Sequence, residues 1–81
     1  MENTTLFDVK AMKEHLIKET LMEVTESLKE RGYNASNQLV GYLISGDPGY
    51  ISNYKETRKK LSKIDRTDII EVLLRSYLSR N

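Results

Sequence analysis

The chain has no cysteine and no tryptophan, and only one proline, one histidine and one phenylalanine among 81 residues. Without cysteine there is no disulfide framework and no thiolate metal site. The lone histidine, His15, has no second histidine or cysteine to complete a metal centre or a nucleophile–base pair. It lies one turn before Glu19 and reads as a surface residue of a charged helix. No serine sits in a nucleophile elbow. Gly46-Asp47-Pro48-Gly49 lacks the lysine and the glycine spacing of a phosphate loop. No enzymatic activity, cofactor or metal is therefore expected. Long apolar runs are missing too, and nothing approaches the roughly 18 residues needed to span a bilayer. The opening MENTTLFDVK holds acids and no apolar centre, unlike a secretory signal. A cytoplasmic location is the expectation, with no insertion into a membrane.

Charge of one sign is also lacking, since the formal net charge is only +1. The distribution is uneven. Residues 1–30 hold four lysines against seven acids, a balance of −3. Residues 53–66 hold six bases (Lys55, Arg58, Lys59, Lys60, Lys63 and Arg66) against Glu56 and Asp65, a balance of +4. The two ends could attract each other within one chain or between two. Two solvated faces of opposite sign are the plainer alternative.

What remains is helical pattern. At 81 residues, 38% hydrophobic and 31% charged, the chain is one globular domain at most. So small a domain is marginal alone, and close helix packing or oligomerisation must compensate. Residues 1–10 show no helical period and read as a flexible N-terminal tail, with Phe7 and Val9 lightly docked. Residues 11–81 read as a single helical domain. A first helix is expected from Val9 or Lys13 to Arg31, with Ile17, Leu21, Val24 and Leu28 forming an apolar stripe. Gly32 can end it through a positive φ. A second helix from Ser36 to Ser45 can be capped by Asn34 or Ser36. Gly41 within it costs about 1 kcal/mol relative to alanine, which suggests that another backbone passes close. After a turn at Gly46–Gly49, where Asp47 can cap and Pro48 suits a first helical position, a third helix is expected from Asn53 to Lys63. A fourth starts at the cap Asp65 and should bury Ile69, Ile70, Leu73, Leu74 and Tyr77. The expected fold is all-α, a compact bundle of four to five short helices with a helix-turn-helix-like element. A basic segment at residues 53–66 keeps a DNA-binding regulator as the alternative reading, although the near-neutral chain and the long Ser45–Asn53 link weigh against it.

The stretch GYNASNQLVGYLISGDPGYI, Gly32 to Ile51, is more particular than a generic loop. It holds all four glycines, the only proline and three of the five tyrosines. GYN, NQLVGYL and SGDPGY in this stretch resemble the signature of the IreB family of small regulatory phosphoproteins of Gram-positive bacteria, which includes the proteins called ReoM. Thr67-Asp68-Ile69-Ile70-Glu71 and Arg75-Ser76-Tyr77-Leu78 are similar to the family's final helix. Thr4-Thr5-Leu6-Phe7 is similar to its N-terminal threonine and aromatic residue.

The resemblance implies a non-enzymatic homodimer that is phosphorylated by a membrane-bound serine/threonine kinase with extracellular PASTA domains, and reversed by a cognate phosphatase. The phosphoacceptor falls on Thr4, with Thr5 as the neighbour. It further implies control of cell-envelope synthesis and of the response to cephalosporin-type stress. In the ReoM branch that control runs through Clp-protease turnover of the first committed enzyme of peptidoglycan precursor synthesis. Candidate partner-binding residues are Tyr33, Tyr50, Arg58, Lys59 and Arg66. Arg58 and Arg66 match positions that are basic in relatives, whereas Ser52-Asn53 stands where many members carry Pro-Arg. Tyr33 and Tyr50 are open between contact anchors and core packing, and Tyr42 is expected in the core.

Overall fold

Hydrophobic residues spaced three and four apart build the architecture. The computed structural model describes residues 2–80, with side chains from Val9 onward. Among these residues the chain forms four α-helices and no strand: α1 (Glu2–Glu30), α2 (Ala35–Ser45), α3 (Thr57–Ser62) and α4 (Arg66–Leu78). Two short 3-10 turns, Pro48–Tyr50 and Tyr54–Glu56, lie between α2 and α3.

The stripe of α1 is the floor of the core. Ile17, Val24 and Leu28 are buried, and Leu21 packs at their edge. They meet Tyr42 of α2, Ile51 of the connecting loop, Leu61 and Ile64 at the end of α3, and Ile69 and Val72 of α4. The α1 terminus is as the sequence predicts. Gly32 takes φ +79. Its N–H donates to Lys29 O at 2.9 Å and the Tyr33 N–H donates to Leu28 O at 3.0 Å, the paired bonds of a Schellman ending. Asn34 is the N-cap of α2, its Oδ1 accepting from the Asn37 N–H at 3.0 Å.

Four expectations need correction. First, α1 begins at Glu2, not at Val9 or Lys13. Asn3, Thr4 and Thr5 each cost below about 0.7 kcal/mol in a helix, which is small once the helix is nucleated downstream. An acid at the first position also suits the helix dipole. Val9, expected to dock lightly, is exposed, and Phe7 lies outside the described side chains. Second, the expected Asn53–Lys63 helix is broken, because Lys55 and Glu56 adopt φ of +57 and +58. Third, the neighbour that Gly41 admits is a side chain. A Cβ there would stand 2.5 Å from Cδ1 of the Tyr50 ring.

Fourth, α4 is rotated from its expected orientation. Of its predicted stripe only Ile69 is buried, and the inward partner is Val72. Ile70, Leu73, Leu74 and Tyr77 are 40%, 46%, 55% and 64% exposed. The face that is taken has Ile69 and Val72 in the core cluster with Ile17, Val24 and Leu28 of α1, and ion pairs lie along its edge. Asp68 pairs with Lys13 at 2.9 Å and Arg75 with Glu14 at 3.2 Å, flanking Val72 by four and three residues. The 68–72–75 face thus lies toward α1, with the ion pairs at its margin adding to the burial of Val72. The Asp68 carboxylate, accepting a hydrogen bond from Lys13, raises the lysine's pKa above its ordinary value.

The braced loop and its basic flank as a candidate contact site

The Gly46–Asn53 loop is short of regular hydrogen bonds, and side chains supply them. Gly46 closes α2 in the left-handed region, with φ +77 and its N–H donating to Tyr42 O at 2.7 Å. Asp47 caps the turn that follows, its Oδ1 accepting from the Gly49 N–H at 2.8 Å, and Pro48 takes the first position as predicted. Gln38 then makes a reciprocal pair with Ser52. The Ser52 N–H donates to Gln38 Oε1 at 2.9 Å, and Gln38 Nε2 donates to Ser52 Oγ at 3.1 Å. The buried Thr57 hydroxyl donates to Ser52 O. Ile51, between these braces, is fully buried.

Both arginines named as candidate partner residues join this bracing. Arg58 Nε donates to Ile51 O at 2.7 Å. Arg66 Nη1 donates to Leu43 O at 2.9 Å, and its guanidinium lies over Gly46, where a Cβ would come within 2.8 Å of Cζ. Each arginine spends one edge on a backbone carbonyl and remains exposed otherwise. Lys59 is exposed, with Glu56 3.9 Å away. Tyr50 lies on Gly41 with 54% of its surface exposed, and Tyr33 is 40% exposed. Tyr42 is in the core. The structure thus gathers Tyr50, Arg58 and Arg66 around one loop and leaves Tyr33 apart, at the α1–α2 turn.

The opposite charges of the two segments meet within the chain. Lys55 pairs with Glu30 at 2.9 Å and Lys60 with Glu23 at 3.5 Å. The hydrogen bond from Lys55, followed by one from Tyr54, holds the Glu30 carboxyl below the usual glutamate range; its bond to Glu30 raises Lys55. Arg31 stacks 4.9 Å from the centre of the Tyr54 ring. Glu30 and Arg31 carry no sequence signal beyond ordinary charge at a helix end. Their pairing with residues 54–55 comes from the tertiary fold. The candidate phosphoacceptors Thr4 and Thr5 have backbone in the first turn of α1, and their side chains lie outside the described residues.

Polar groups here brace a loop and dress a convex surface, and large apolar side chains of α4 stand outside the core. This is a small all-helical protein with an apolar stripe on its surface. The family model described as IreB regulatory phosphoprotein matches residues 2–79, and the chain belongs to that family. The match covers the loop, its basic flank and α4 together. No helix among the described residues is long and apolar enough to cross a membrane.

Proposed function

We propose that this chain is a non-enzymatic switch, a cytoplasmic substrate of a membrane serine/threonine kinase of the PASTA type and of its phosphatase, that controls cell-envelope synthesis under cephalosporin-type stress. The observation that carries the reading is the family match over residues 2–79. Physical features support it. A phosphate on Thr4 or Thr5 adds about −1.5 to −2 charges and strong acceptor oxygens at the positive end of a helix. The acceptor segment lies in the first turn of α1, remote in sequence from the braced loop.

Tyr33, Tyr50, Arg58, Lys59 and Arg66 are the proposed contact residues, and the Clp protease machinery or a peptidoglycan-precursor enzyme is the proposed downstream partner. The exposed stripe of α4, with Val40 and Ile44 of α2 also exposed, supports a homodimer.

The test is intact-mass and fragment analysis of the protein taken from its native cell, with and without antibiotic stress. A phosphate on Thr4 or Thr5 that changes with stress is expected. An unmodified N-terminus under both conditions would falsify the switch.

A further inference from the structure

The sequence of residues 53–63 favours one unbroken helix, yet the backbone is bent in the middle of it. Lys55 and Glu56 both occupy the left-handed region, with φ of +57 and +58. Lysine and glutamate are good helix formers, and neither has the freedom of glycine at positive φ. Local preference and observed backbone disagree here, and such disagreements concentrate at switching and contact elements.

The bend is held at both ends, on the loop side by Thr57 on Ser52 O and Arg58 on Ile51 O, and on the other by the end of α1. Glu30, the last residue of α1, pairs with Lys55 at 2.9 Å. Arg31, the next residue, stacks on Tyr54 at 4.9 Å. Within the segment, Asn53 Oδ1 accepts from the Arg58 N–H at 3.2 Å, a substitute for the helical bonds the bend gives up. The fold's own α1 terminus thus opposes the helix that the segment would otherwise form.

We infer that residues 53–62 are a two-state element. In the bent state, seen here, Glu30 and Arg31 latch Lys55 and Tyr54 to the end of α1. In the straight state Tyr54–Glu56 joins α3 as one helix. The two states present different surfaces. Bent, Lys55 is turned onto the acidic side of α1, as Lys60 is onto Glu23 at 3.5 Å. Straight, Lys55 and Lys59 stand four apart on one ridge, with Lys63 in line beyond them, free to meet an acidic partner. The latch decides whether the Lys55 charge is paired with Glu30 or joins the already exposed Lys59.

Two measurements on the full chain test this. In the double variant Glu30→Gln with Arg31→Ala, NMR should show Hα–HN contacts of i,i+3 type running from Asn53 to Arg58, and Lys55 and Glu56 should lose positive φ. Retention of positive φ at both residues overturns the latch. The second measurement uses Glu56→Gly, which keeps both latch residues. Glycine relieves positive φ, so the melting temperature should rise by a few degrees with the bend intact. A fall in melting temperature, which glycine causes inside a regular helix, overturns the claim of opposed preferences.

Discussion

At position 41 a missing Cβ leaves the space that the Tyr50 ring fills. The ring's Cδ1 would sit 2.5 Å from an added methyl group, closer than any real contact. Gly41→Ala therefore gains helix propensity, about 1 kcal/mol, and loses the ring's seat. Because Tyr50 is half exposed it can swing away, so the single substitution should change stability by less than about 1 kcal/mol. In a Tyr50→Ala background the same change should stabilise by about 1 kcal/mol, since nothing opposes the helical gain. Chemical denaturation of the four proteins of this cycle measures the coupling, and simple additivity would remove the ring from the account. Arg66 makes a related point. It reaches Leu43 O at 2.9 Å with a planar group laid over Gly46. Lysine is charged but has neither the plane nor the fork. Arg66→Lys should cost about 1 kcal/mol in a thermal melt, the worth of one hydrogen bond, and an unchanged melt would leave Arg66 free for partners alone.

Helices are where the sequence was most legible, and their rotations least. The C-terminal end of α1, the Gly32 and Asn34 caps and the Asp47-Pro48 turn are all local chemistry, written in neighbouring residues, whereas the start of α1 was not legible. Nor was the face of α4 that points inward, because the surface it packs on, edged by Lys13 and Glu14, belongs to the distant α1. The break at Lys55 was hidden for the same reason, its partners being Glu30 and Arg31. Of the candidate site, Tyr50, Arg58 and Arg66 came from resemblance. Their bracing of one loop comes from contacts between elements, which no single segment encodes. Thr4 and Thr5 have only the resemblance behind them.

The Glu30–Lys55 tie between α1 and the second 3-10 turn has a definite pH window. Glu30 is lowered, so its contribution is complete above the ordinary glutamate pKa and is lost as pH falls through the lowered value. Lys55 is raised, so its contribution is complete below the ordinary lysine pKa and is lost as pH rises through the raised value. Melts of the native chain and Glu30→Gln should differ most across the neutral plateau, and the difference should shrink as pH falls below the ordinary glutamate range or rises above the ordinary lysine range. A difference that does not shrink at all as pH falls would mean that charge is not what ties the two elements together.

Across the whole molecule, a core of few residues is set beside a large apolar exterior. Among the described side chains, ten apolar residues are buried and thirteen large ones are exposed. A domain of 81 residues is too small to leave so much apolar surface in water without loss. Ile70, Leu73, Leu74 and Tyr77 lie along one side of α4, away from the face that carries Asp68, Val72 and Arg75 toward α1. A second copy of the chain is the proposed cover, which would bury each stripe against its mate and link stability to concentration. Sedimentation should then give about twice the 9.4 kDa chain mass for the native protein, and a melting temperature that rises with concentration. Leu73→Asp with Leu74→Asp should sediment as a single chain. Because both side chains point away from the core, that variant should stay helical by circular dichroism, with a melt independent of concentration. A native protein that sediments as one chain at every concentration would leave the stripe without the cover proposed for it.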